Sequence, residues 1–209
     1  MYQHTGLFAF PLSIQIVMSP ETIPTKLPSN RLPIFGILTA AALTIDLWSK
    51  TWAFEKFGLA NGSEWMLNQP WIRFRWFTSL NFGALWGMGQ GFALGFAALS
   101  VVAFTGILYW LFVKKAAASM WLTISMAFVA SGTLGNLYDR LGLHGVVPPN
   151  EKQPAQAVRD FFHFQFGSFD WAIFNVADVC LVTGAIMLMI HSLTVKEEAE
   201  PATGSAAAV

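Results

Sequence analysis

Two runs of 23 residues, 91–113 and 116–138, contain no charged side chain, and only Lys114 and Lys115 separate them. At about 1.5 Å per helical residue, either run crosses a hydrocarbon core of about 30 Å. A chain in lipid must satisfy its own backbone hydrogen bonds, so such runs fold as helices. Two further segments have the length to span. Residues 171–190, "WAIFNVADVCLVTGAIMLMI", are apolar except for Asn175, Asp178 and Thr183. Residues 32–54, "LPIFGILTAAALTIDLWSKTWAF", are interrupted by Asp46 and Lys50. The expectation is an all-α membrane protein of four transmembrane helices. Composition agrees, since only 11% of residues are charged where a soluble domain carries about 25%.

The same counts remove several function classes. Twelve basic and twelve acidic residues give a net charge of zero, so no basic face points to nucleic acid. The single cysteine, Cys180, lies in an apolar run and excludes an internal disulfide framework or a Cys-based metal cluster. His163 follows Asp160 by three residues, but no second histidine gives a metal-binding spacing such as H-E-x-x-H. No metal and no cofactor are expected.

The flanks read differently from the spans. In residues 1–31 the apolar stretch "GLFAFPLSIQIVM" is too short to cross, no Lys or Arg precedes it as in a secretory signal, and a Pro-broken polar stretch follows. This segment is expected to be mobile or interfacial. Residues 193–209 are expected to be a disordered cytoplasmic tail. The working domain is then 32–192. Lys114 and Lys115 place the turn between the second and third spans in the cytoplasm, and with four spans both termini lie there too.

Placement of the polar residues narrows the chemistry. Asp46 and Lys50 lie one turn apart in the far half of the first span. Asn136 and Arg140 have the same relation at the end of the third span, beside Asp139. Asn175 and Asp178 enter the fourth span from that side, with Asp178 expected about 7 residues inside it, roughly 10 Å below its start. All of them fall at one membrane face, the face that carries the long connections 55–90 and 139–170. Asp46 with Lys50 reads as an intrahelical ion pair, Gly132 and Gly135 as close-packing positions, and Trp121 and Trp171 as interfacial belt residues. Asp178 has no cation in its own span, and an ionisable group there is a functional candidate. Cys180 has no histidine near it in sequence, and Ser49 is next to Lys50 but adjacent helical residues point about 100° apart, so no nucleophilic dyad is evident. Two carboxylates sharing a proton can instead activate water and polarise a carbonyl. Asp160 in "AVRDFFHF" and Asp170 in "GSFDW" are the possible partners of Asp178.

Five boxes resemble those of the lipoprotein signal peptidases (signal peptidase II), the membrane aspartic proteases of bacteria. "DLWSK" at 46–50 is similar to the family's D-Q-x-S-K, and "NFGALWG" at 81–87 to its N-x-G-A-A-F. "GNLYDR" at 135–140, "VRDF" at 158–161 and "FNVAD" at 174–178 match its G-N-x-x-D-R, V-x-D-F and F-N-x-A-D. The ordered set covers about residues 33–192. The resemblance implies a catalytic dyad of Asp160 and Asp178. It implies substrate-binding or supporting roles for Asp46, Lys50, Asn81, Asn136, Asp139, Arg140 and Asn175. It also implies a small extracytoplasmic β-cradle from residues 55–90. The implied reaction removes the signal peptide from a lipid-modified prolipoprotein, cleaving before the diacylglyceryl-cysteine at the outer face of the bacterial cytoplasmic (inner) membrane. Membrane lipids surround the substrate, and the cyclic peptide globomycin is the expected inhibitor.

Three departures stand out: Leu47 for the family's Gln, Leu85-Trp86 for Ala-Phe, and a long interval of 19 residues between Arg140 and Asp160. The last keeps Asp170 as a rival to Asp160. Two other classes compete with a protease. A small proton-coupled transporter needs polar groups in the cytoplasmic halves of the spans, where almost none are found. A scaffold protein has no need of two acids at one depth.

Overall fold

The computed structural model describes residues 26–83, 89 and 91–198. Residues 1–25, the departure at Leu85-Trp86 and the tail beyond 198 lie outside the described residues. Four helices are long and apolar enough to span: α1 (Arg31–Phe57), α2 (Ala93–Leu108, continued by a π-helical turn over Tyr109–Val113), α3 (Met120–Arg140) and α4 (Val176–Glu198). Between α1 and α2 lie β1 (Leu67–Asn68) and β2 (Arg73–Asn81), and between α3 and α4 lie β3 (Val158–Phe166) and β4 (Phe169–Asp170). They form one antiparallel sheet in the order β1-β2-β3-β4. The chain is thus a mostly helical, multi-pass membrane protein with a small sheet at one end.

The helix bounds have local causes. Gly58, at φ 77°, ends α1 and returns its N–H to Phe54 O at 3.0 Å, a left-handed cap that a side chain disfavours. Residues 116–118 were expected inside the third span but form a 3₁₀ turn after the left-handed Lys115. The helix starts at Met120 because the Ser119 hydroxyl caps Leu122 N. Arg31 reaches across from α1 to the Ala117 and Ala118 carbonyls at 3.0 and 3.3 Å, joining Lys114 and Lys115 at that end of the bundle. At the other end of the chain, residues 193–198 were assigned to the tail but continue α4.

The largest correction concerns the fourth span. Residues 171–175 are not helical. Phe174 exchanges backbone hydrogen bonds with Phe162, and Trp171 N donates to Phe164 O. The apolar "WAIF" therefore runs along β3 rather than through the membrane. α4 begins at Val176, and Asp178 occupies its first turn instead of lying two turns deep.

Helix α3 is the centre of the bundle: 56% of its apolar window is buried, against 17–22% for the other three. One half of the core packs Phe35, Ile107, Leu111, Ala127 and Ala130 between α1, α2 and α3. The other half joins the end of α1 to the sheet through Ala53, Phe54 and Phe161, with Trp52 edge-on to Trp76 at 5.1 Å. Facing positions on β2 and β3 place Phe74 opposite Phe164 and Trp76 opposite Phe162. Their rings touch at 4.7 and 5.3 Å, so one sheet face is a continuous aromatic surface. The ladder is irregular between Trp76 and Ser79. There Thr78 turns away and bonds to Gly58 O and Asn61 O at 2.6 and 2.9 Å.

Candidate active site

The end of α1, the end of α3, the start of α4 and the middle of β3 converge. Antiparallel chain directions make this unavoidable: the C-terminal turns of α1 and α3 and the N-terminal turn of α4 share one end of the bundle. The polar positions read from the sequence fall on those turns, and the folded chain gathers them into one network.

Asp178 is held as part of a reciprocal cap. Asn175 Oδ1 accepts from Asp178 N at 3.1 Å, while Asp178 Oδ2 accepts from Asn175 N at 3.1 Å. This is the capping-box arrangement, and it places a carboxylate where the helix dipole favours negative charge. Asn136 Nδ2 donates to Asp178 Oδ1 at 2.9 Å. Burial of an acid near the membrane is therefore offset by two donors, Asn175 N and Asn136 Nδ2, and a helix N-terminus.

Asp160 comes from β3. It accepts from Asn175 Nδ2 at 2.6 Å on one oxygen and from Asn81 Nδ2 at 3.1 Å on the other. Asn175, fully buried, thus touches both acids, and β2 supplies Asn81 from a position next to the ladder irregularity. Burial, together with the neighbouring Asp178, pushes the Asp160 carboxyl up to about 8. Asp170, in contrast, is on β4, and its exposed carboxylate meets His163 Nε2 at 2.7 Å. It lies in a separate cluster with Arg75, whose Nε donates to His163 Nδ1 at 3.0 Å.

Behind the acids lies a net-neutral set of four buried charges: Asp46, Lys50, Asp139 and Arg159. Lys50 Nζ donates to Asp46 Oδ2 at 2.8 Å and to Asn136 Oδ1 at 3.1 Å, and lies 3.3 Å from Asp139 Oδ2. The Lys50 contact fixes the orientation of the Asn136 amide, oxygen to the lysine and nitrogen to Asp178. The Asp46–Lys50 pair is not merely intrahelical: Asp46 Oδ1 also accepts from Ala177 N at 2.8 Å, reaching from α1 to the first turn of α4. Gly135 is required at this crossing, because an added Cβ would overlap Asp46 Oδ2.

Asp139 does not hold Arg140. Its partners are Lys50 and Arg159, the latter through the backbone N at 2.9 Å, Nε at 3.1 Å and Nη2 at 3.0 Å. Arg140 projects separately, stacking over Phe96 at 5.2 Å with Nη2 3.5 Å from Gly83 O. Arg159 was missed in the sequence because it occupies the unspecified position of V-x-D-F. The only available signal was an arginine directly before a candidate acid in a strand rich in phenylalanine. Among the described residues, no three His, Cys, Asp or Glu side chains are placed to share a metal ion.

Comparison with known proteins agrees with this architecture. Residues 38–194 match the family model described as signal peptidase (SPase) II. A lipoprotein signal peptidase of Rhodopirellula baltica is 42% identical over 183 residues, covering 83% of this chain and 80% of that one. One from Methylobacterium radiotolerans is 33% identical over 84% of this chain and 97% of its own. Two bacterial membrane enzymes solved by the in meso method superpose with TM-scores of 0.67 and 0.62. They are 20% and 22% identical, cover 83% and 78% of this chain and 96% and 94% of theirs, and share its fold. The chain belongs to the signal peptidase II family and is a multi-pass membrane peptidase.

Proposed function

We propose that this peptidase removes signal peptides from prolipoproteins as an aspartic endopeptidase, cutting the amide bond before the lipid-modified cysteine with Asp160 and Asp178. The observation that supports this reading best is Asn175, which joins the two acids at the N-terminus of α4. Asp178, surrounded by donors at a helix N-terminus, is the carboxylate. Asp160, whose carboxyl burial and the neighbouring Asp178 push up to about 8, is the proton donor.

Asp178 takes a proton from a water molecule as its oxygen attacks the scissile carbonyl carbon, and Asp160 gives its proton to the carbonyl oxygen. Collapse of the resulting diol breaks the C–N bond. Asp178 passes its proton to the leaving nitrogen, and a diol hydroxyl returns one to Asp160, restoring the starting state. Asn81 and Asn136 hold the acids, and on this reading Arg140, on the side of Gly83 and Phe96, meets the substrate.

The active site faces outward from the cytoplasmic membrane on this reading. Arg31, Lys114 and Lys115 gather at the opposite end of the bundle, and such a cluster is retained in the cytoplasm. The substrate's lipid chains hold the scissile bond at the depth of the first turn of α4.

The test is cleavage of a lipidated precursor by purified variants. Asp160→Asn and Asp178→Asn each abolish turnover, the double variant is little worse than either single one, and Asp170→Asn retains most activity. A folded Asp178→Asn enzyme that still cleaves ends the dyad mechanism.

A further inference from the structure

We infer that Arg159 is a positioning residue for the reaction: it clasps β3 to the last turn of α3 and thereby sets where Asp160 stands relative to Asp178. This rests on the dyad reading above. Adjacent strand residues point to opposite faces, so Arg159 turns toward α1 and α3 while Asp160 turns toward α4. Consecutive Cα atoms are about 3.8 Å apart, and whatever holds Arg159 holds Asp160.

The hold is unusually complete. The Arg159 backbone N and two guanidinium nitrogens all donate to the carboxylate of Asp139, and Nη1 donates to Thr51 Oγ1 of α1 at 3.2 Å. Main chain and side chain are both pinned, and both residues are almost wholly buried, at 3% and 0% exposure. A fork-shaped guanidinium makes this contact, and an ammonium cannot reproduce it.

The sheet alone does not supply this precision. Asp160 pairs with Ser79, the first residue after the irregular stretch of β2, where an extra residue loosens the register of the ladder. The clasp compensates from the other side. It also uses the same helical turn that positions Asp178: Asn136 donates to Asp178, and Asp139, three residues later on the same face, receives Arg159. Lys50 contacts both Asn136 and Asp139. The end of α3 is therefore a common template that sets the separation of the two acids, one directly and the other through Arg159.

Two variants test this without leaving a buried charge alone. Arg159→Lys keeps the charge but cannot fork. Arg159→Met combined with Asp139→Asn removes one charge of each sign. Each is purified as the full chain and checked by thermal unfolding, and kcat, KM and the pH profile are measured with lipidated precursor. Because sub-ångström to 1 Å misplacement of a catalytic group lowers rate by up to about a hundredfold, both variants should lose roughly ten- to a hundredfold in kcat with KM changed less than about twofold. Looser seating also lets water reach Asp160, so the alkaline limb of the profile should move to lower pH. Wild-type kcat and pH profile in either folded variant overturn the inference. So does a loss confined to KM, or a fall in kcat with the profile unmoved. Asp160→Asn is run alongside: its inactivity beside unaffected Arg159 variants refutes the clasp alone, whereas its activity refutes the dyad itself.

Discussion

Replacing Gly135 with alanine adds one methyl group where three helices meet. The new Cβ would overlap Asp46 Oδ2 and lie 3.1 Å from Asp46 Cγ and 3.4 Å from Ala177 Cβ. The carboxylate has no free direction in which to retreat, because its oxygens accept from Lys50 Nζ and Ala177 N, both at 2.8 Å. Relief requires either parting α1 from α3 or breaking one of these charge-assisted bonds. Overpacking costs about 1–3 kcal/mol, and a hydrogen bond to a charged group contributes about 1.5–3 kcal/mol. Either route therefore costs about 1–3 kcal/mol, which in a chain of this size lowers Tm by roughly 2–12 °C. Activity should fall with it, since Ala177 N lies in the turn that carries Asp178. Gly106→Ala on α2 is the control: its added Cβ meets nothing within 4 Å, and alanine is the better helix former by about 1 kcal/mol. Both are followed by tryptophan fluorescence during heating in one detergent, with cleavage of lipidated precursor measured in parallel. If Gly135→Ala melts and cleaves like the wild type while Gly106→Ala behaves as expected, Asp46 does not pack against α3 as described.

Asp160→Asn should be a stabilised but inactive protein above neutral pH. The native Asp160 keeps its proton to about 8, whereas an unfolded aspartate releases it near about 4; between those values the unfolded chain binds fewer protons, so wild-type stability falls as pH rises, by up to about 1.4 kcal/mol per unit. Melting temperatures of the two proteins should diverge from pH 4 to 8 and then run parallel; a constant difference contradicts the burial of Asp160. A cysteine probe at Asn150 should be labelled from outside intact cells and one at Ala117 should not, the reverse pattern placing the site in the cytoplasm. An unlipidated precursor of unchanged peptide sequence should be cut very poorly, and globomycin should block cleavage of the lipidated one; efficient cleavage of the unlipidated form shows that peptide sequence, not lipid depth, selects the bond.

The four spans were legible because lipid tolerates few charges, and the runs around Lys114-Lys115 leave no other interpretation. Their ends were less so. Hydrophobicity is continuous across Trp171–Phe174 and α4 alike, and nothing local distinguishes a strand edge from the first helical turns. Asn175 with Asp178 three residues on was the missed signal, a capping box read as an i, i+3 polar pair inside the span. β3 was hidden for a related reason: "RDFFHFQF" alternates only partly, since both of its faces are covered in places. The acids and amides of the site were visible as residue types and as family boxes. Their connections were not, because Asp46 to Ala177 and Arg159 to Asp139 span 131 and 20 positions and leave no periodic trace.

The bond from Asp46 to Ala177 also bears on how the enzyme is made. The first residue leaves the ribosome long before the second, so for most of synthesis α1 carries a carboxylate whose final partner does not yet exist. Lys50 can pair with it early, within the same helix. The network closes only when α4, the last span, enters the membrane and brings Ala177, Asn175 and Asp178 together. A chain released before that point holds no Asp178 and no completed site, so a half-made protease is silent in a membrane crowded with signal peptides. Proteolytic competence is then a direct readout of complete insertion.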